Sequence, residues 1–178
     1  MRGDGDVPPH RGAPWQHGLM EISPDEYAFF VQRAIDGMAA IVGELGDQLA
    51  CVRPDLPGAN SPYVILRHCL AILDYWGGHV VAGRDVARDR DAEFSASGPV
   101  GALITATVAA KGQFAEDLAT ARPASPPRRP PLASTWPGPV ETQAHALLHI
   151  LQELAQHHGQ AELTRDMLLA GRGSQRPG

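Results

Sequence analysis

The chain has 178 residues, of which 43% are hydrophobic, and its formal net charge is -5. A chain of this length and composition is expected to form one domain with a sizeable core. The charge is mild and the basic residues are scattered, which argues against nucleic acid as a partner. No stretch of about 18 apolar residues is present to span a membrane, and the first 20 residues lack the apolar stretch of a secretory signal. We therefore expect a cytoplasmic protein without membrane attachment.

The first half of the sequence predicts two long helices. Residues 1–22 are rich in glycine, proline and charge, and we expect them to be disordered or loosely packed. Helix one is predicted over Ser23–Leu49, which begins with an N-cap serine, a proline and two acidic residues. Helix two is predicted over Ser61–Val81, where a Ser-Pro pair repeats this start. Residues 84–98 are charged and carry no helical stripe, so they predict a long crossover between helices two and three.

The second half predicts two more helices and a proline-rich loop. Helix three is predicted over Pro99–Ala121. The segment Arg122–Pro139 holds seven of the sixteen prolines, which excludes a helix or a central strand. Helix four is predicted over Val140–Ala170, with the glycine that follows it as its end and residues 172–178 as a flexible tail. No segment alternates with a period of two, so the sequence predicts an all-α four-helix bundle over residues 23–171.

Apolar residues at three- and four-residue spacing predict which faces of the helices point inward. In helix one this stripe consists of Phe30, Ala34, Ile35, Met38, Ile41, Val42 and Leu45. In helix three the residues expected inward are Leu103, Ile104, Thr107, Val108 and Leu118.

Helix four carries a run of side chains of the kinds that ligate metals. Four of them follow one another at intervals of four residues, namely His145, His149, Glu153 and His157. Each interval rises about 6 Å and rotates about 40° past a full turn, so one ion can use only an adjacent pair, and all three adjacent pairs stay open at this point. The best-placed third ligand is His68, within the apolar stretch of helix two. A lone histidine is more often an ordinary core or surface residue, but facing bundle helices build metal centres in this way.

The residues around these side chains resemble known motifs. The stretch Leu148–Arg165 resembles the last-helix motif of the DinB-like metalloprotein superfamily: a His, a Glu, a His, then a Gly, small and acidic residues and an Arg. Leu66–Leu70, with Trp76 shortly after it, is similar to the second-helix motif, and the linker Arg88–Phe94 is also similar. The resemblance covers roughly Ser23–Ala170. It points to the branch that contains mycothiol-dependent maleylpyruvate isomerases and mycothiol S-transferases.

This resemblance implies a metal centre. The family takes one His from the second helix and a Glu and a His from the last helix, which correspond to His68, Glu153 and His157. Three nitrogen and oxygen ligands leave an open coordination position, as a catalytic site requires. Zinc is the expected metal, although such ligands also accept nickel or iron. The thiol co-substrate that the resemblance implies is mycothiol.

Further residues near the ligands are candidates for catalysis or substrate binding. His149, one turn before Glu153, is expected to act as a proton shuttle or as a hydrogen-bond partner of the site, with a plain interior residue as the alternative. Trp76, Tyr75 and Trp136 are candidates for the walls of the substrate pocket, with core packing as the alternative.

The expected function is metal-dependent transfer of a low-molecular-weight thiol to an electrophilic small molecule. The maleylpyruvate isomerases of the family carry a second, C-terminal domain, and this chain ends at Gly178, which favours transfer over isomerisation. Gln160 stands where relatives often have a further His. A metal-dependent hydrolase, lyase or isomerase and a non-catalytic metal- or ligand-binding bundle are the alternatives. The expected partners are the thiol and the electrophile, with a homodimer left open.

Overall fold

The computed structural model describes residues 21–132, 136 and 138–173, and every regular element in those ranges is a helix. The expected disorder of residues 1–20 and most of the expected tail, residues 174–178, lie outside the described residues. The helices are α1 (Pro24–Leu49), α2 (Pro62–Ile72), which continues as a π-helical segment (Leu73–Ala82), α3 (Arg90–Phe94), α4 (Val100–Ala119) and α5 (Gln143–Gly173). The four long elements form the predicted bundle, and the short α3 lies within the crossover.

The helix boundaries follow local signals in the sequence. Ser23 forms a capping box, because its hydroxyl accepts a hydrogen bond from the backbone N–H of Glu26 while the Glu26 carboxylate accepts one from the backbone of Ser23. Ser61 caps α2 with a single hydrogen bond, which its hydroxyl accepts from the backbone N–H of Val64. Gly83, with a φ of 80°, ends the π-helical segment in the left-handed region that favours glycine. The last helix continues through Gly171 to Gly173, so its predicted last residue, Ala170, was three residues too early.

A single core runs between the four long elements. Helix α5 packs against α1, α2 and the π-helical segment, and α4 packs against α1 and the π-helical segment. The predicted stripe of α1 is buried except for Phe30, which is 55% exposed and lies edge-on to Phe29 on the surface. In α4, Leu103 and Thr107 are buried, but the prediction for Val108 was wrong because that side chain is 67% exposed. None of the helices in the described ranges combines the length and apolar content needed to cross a bilayer.

The π-helical segment is a local departure from the predicted continuous α-helix. A π-helix has wider turns, is rare, and is frequently found at functional sites. Here it extends over ten residues and buries seven of them, including Tyr75 and Trp76. This segment packs against both α4 and α5.

The crossover between the π-helical segment and α4 is anchored to the bundle. At its start, Nε and Nη2 of Arg84 each donate a 2.9 Å hydrogen bond to the carboxylate of Asp117 on α4, which is buried. Further along, α3 brings Glu93 against α2. The crossover thus covers one side of the region in which the predicted ligands lie.

Candidate metal centre

The three predicted metal ligands lie together between α2 and α5. Nε2 of His68 is 3.7 Å from Oε2 of Glu153, and Nε2 of His157 is 3.5 Å from the same oxygen. One donor atom from each side chain lies within 4.8 Å of the other two. A tetrahedral ion with ligands at about 2.0–2.2 Å separates its donor atoms by about 3.4 Å, so a small closing movement would suit zinc. Of the three adjacent pairs on the last helix, Glu153 and His157 are the pair that meets His68.

The crossover contacts the imidazole of His68 at Nδ1. The residue is buried, and its Nδ1 lies 2.7 Å from Oε2 of Glu93. Glu93 also accepts hydrogen bonds of 2.8 and 3.0 Å from the guanidinium of Arg88. Burial alone would raise the pKa of Glu93, but the hydrogen bonds from His68 and Arg88 outweigh it and lower the pKa to about 2. An ionised carboxylate only accepts, so Nδ1 of His68 carries a proton, and Nε2, which faces Glu153, is the nitrogen left for a metal.

His157 is oriented in a corresponding way by Gln160. The Nδ1 of His157 lies 2.8 Å from Oε1 of Gln160, one turn further along α5. If the amide oxygen accepts this bond, Nε2 is again the nitrogen left for a metal, and it faces Glu153. Gln160, which stands where relatives often have a His, therefore still provides a hydrogen-bond partner for His157. The sequence alone assigned no role to Gln160, Glu93 or Arg88, although the similarity of the linker had marked the last two.

The carboxylate and one face of the cluster are exposed to solvent. Hydrogen bonds to His157 and then His68 hold the pKa of Glu153 well below its usual range, so this side chain is ionised. The side chains of Glu153 and His157 are 23% and 22% exposed, whereas that of His68 is 4% exposed. The donor atoms are thus held by protein contacts on one side and are accessible to solvent on the other side.

His149 lies in an aromatic box beside the cluster. Its ring centroid is 4.4 Å from that of Trp76 and 4.5 Å from that of Trp136. The side chain is buried, and this burial lowers the pKa of His149. Its Nδ1 and the Nε1 of Trp76 are buried without a hydrogen-bond partner in the described part of the chain. Two unsatisfied polar atoms in one box are uncommon in a protein interior.

Of the three candidate pocket residues, Tyr75 lies elsewhere. Its ring stacks on His79 at 5.1 Å, and its hydroxyl accepts a hydrogen bond from the backbone of Leu132. It lines a cavity of about 660 Å³ between the π-helical segment, the crossover and α4. This cavity also touches Arg88 and Glu93 but none of the three predicted ligands. Trp76 and Trp136, in contrast, contact His149 one turn from Glu153.

Comparisons with known proteins identify the family and the fold. The family model described as "Mycothiol-S-transferase" matches residues 28–170. The crystal structure of the conserved protein of locus from Enterococcus faecalis is similar in fold, with a TM-score of 0.62 and 16% sequence identity, over 84% of this chain and 99% of that chain. No curated protein matches the sequence significantly. The family match confirms the resemblance drawn from the helix motifs, and the chain belongs to the mycothiol S-transferase family.

Proposed function

We propose that this protein transfers mycothiol to an electrophilic small molecule at a divalent metal bound by His68, Glu153 and His157. The observation that carries the proposal is the convergence of the three donor atoms within 4.8 Å. Two further contacts support it, because the Nδ1 atoms of both imidazoles already have hydrogen-bond partners and leave Nε2 for a metal.

Zinc suits this set of ligands best. Two imidazole nitrogens and one carboxylate oxygen form a typical catalytic zinc site with a vacant fourth position, while nickel and iron accept the same atoms. With Glu153 ionised, such a centre keeps a net positive charge. When bound, the metal supplies the field that favours the thiolate form of a thiol at the open position.

In this proposal the nucleophilic sulfur comes from the substrate and not from the cysteine beside the cluster. Cys69 is adjacent to His68 in the sequence, but it is completely buried and burial raises the pKa of its thiol. A buried neutral thiol is neither accessible nor nucleophilic. Cys69 therefore does not supply the nucleophile, and the family name points to a small thiol as its source.

His149, Trp76 and Trp136 complete the proposed mechanism. The neutral imidazole of His149 accepts the proton of the thiol, and the S–H electron pair stays on sulfur. The sulfur then attacks the electrophilic carbon, and the new C–S bond forms as the bond to the leaving group breaks or a strained ring opens. With an activated alkene the C=C π bond is lost instead, and the proton held by His149 is returned to the resulting carbanion. The two indole rings limit access of water, which would otherwise compete for the electrophile.

The reaction is tested by incubating the zinc-loaded protein with mycothiol and an epoxide, an alkyl halide and an activated alkene, with mass spectrometry of the products. We expect a mycothiol conjugate of at least one electrophile, and none when either the thiol or the metal is omitted. Incorporation of labelled water without thiol would instead identify a hydrolase. The absence of any product with a broad panel would indicate a binding protein.

A further inference from the structure

We infer that Glu93 of α3, held in place by Arg88, is a positioning residue that fixes His68 as a metal ligand. The inference rests on the metal centre proposed above. It assigns a role in the site to the crossover, which contributes none of the three ligands.

The contacts around Glu93 form a closed network. The side chains of Glu93 and Arg88 are each 3% exposed. Burying a carboxylate is unfavourable unless its oxygens are hydrogen-bonded and its charge is paired. Oε1 accepts from Nε of Arg88, and Oε2 accepts from Nη2 of Arg88 and from Nδ1 of His68. The orientation of Glu93 is therefore fixed on one side by a planar guanidinium and on the other by an imidazole.

The network acts on His68 in two ways. The carboxylate holds a ring proton on Nδ1, so Nε2 is the nitrogen directed at Glu153 and left for a metal without further rearrangement of the ring. Its negative charge also increases the basicity of the ring, which strengthens a metal–nitrogen bond. The neighbouring Phe94 contributes by packing its ring 4.9 Å from that of His68.

The test compares Glu93→Gln with Asp91→Asn. Both substitutions remove one negative charge from α3 at nearly constant size, but Asp91 is exposed and its carboxylate is outside the network. Zinc dissociation constants are measured by competition with a chromophoric chelator at fixed pH. We expect Glu93→Gln to bind zinc about 10–100-fold more weakly, whereas Asp91→Asn should match the wild type.

A spectroscopic readout separates positioning from a general loss of stability. In ¹⁵N-histidine-labelled protein, the Nδ1–H of His68 should give a slowly exchanging signal in the wild type and in Asp91→Asn. The signal should be broadened or lost in Glu93→Gln. If Glu93→Gln does not fold, Arg88→Lys replaces it in the test. This variant keeps the charges but loses the pair of hydrogen bonds from the guanidinium to Glu93. We expect it to weaken zinc binding, by less than is expected for Glu93→Gln.

The outcomes distinguish this inference from the metal centre itself. Wild-type protein that binds no zinc would overturn the centre and the role of Glu93 with it. Wild-type protein that binds zinc, together with a Glu93→Gln variant of equal affinity and an unchanged His68 signal, would overturn only the inference.

Discussion

Alanine at either His68 or His157 is expected to reduce bound zinc from one ion per chain to background and to abolish thiol transfer. Each substitution leaves two of the three donor atoms, and two protein ligands do not retain a catalytic zinc. The loss of affinity should exceed the roughly 10–100-fold expected for a hydrogen-bond partner of a ligand. Elemental analysis of the purified variants after dialysis against chelator gives the metal content directly.

His158→Ala is the matched control for these two variants. His158 is adjacent to His157 in sequence, but its ring packs over Gly37 of α1, where a larger residue would overlap it. Its removal should leave the zinc content unchanged and affect only the packing of α1 against α5. Unchanged metal content in both His68→Ala and His157→Ala would rule out the proposed ligands.

His149→Phe is expected to lower kcat by about 10²–10⁴-fold, the usual contribution of general acid–base catalysis. Phenylalanine keeps an aromatic ring between Trp76 and Trp136 but cannot accept a proton. The KM for the electrophile should change much less than kcat, because the walls of the box are retained. Steady-state kinetics with saturating mycothiol separates the two parameters.

The pH dependence provides a second check on His149. Burial lowers the pKa of this imidazole below the ordinary value of 6.5, so the base stays neutral above that lower pKa and is lost as the pH falls through it. The kcat of the wild type should therefore hold steady to pH values below 6.5. His145→Ala, one turn further from Glu153, is the control and should retain kcat. A His149→Phe variant with wild-type kcat and reduced stability would identify His149 as a packing residue.

The sequence predicted the parts of the fold that depend on local chemistry. Capping signals at Ser23 and Ser61 placed the starts of two helices correctly, because a cap is satisfied within a few residues. The prediction failed for Phe30 and Val108, which have the spacing of an inward stripe but lie at its edge and are exposed. Periodicity gives the direction of an apolar face, whereas its width is set by how closely the neighbouring helices approach.

In the candidate site, too, features that depend on local spacing were predicted, whereas features that depend on tertiary contacts were not. The four-residue spacing placed Glu153 and His157 on one face, and the family resemblance selected His68 as their third partner. The role of Glu93 was not predictable from spacing, because it depends on how the crossover folds back onto α2. The π-helical turns around Trp76 were likewise missed, since a π-helix is too rare to be expected from the apolar spacing of ten residues.

X-ray absorption at the zinc edge, with and without mycothiol, tests the proposed centre most directly. For the zinc-loaded protein alone, we expect two imidazole nitrogens and only oxygen or nitrogen in the remaining positions. Addition of mycothiol should introduce one sulfur at about 2.3 Å. A spectrum that shows no imidazole, or one that gains no sulfur while the conjugate is still formed, would contradict thiol activation at His68, Glu153 and His157.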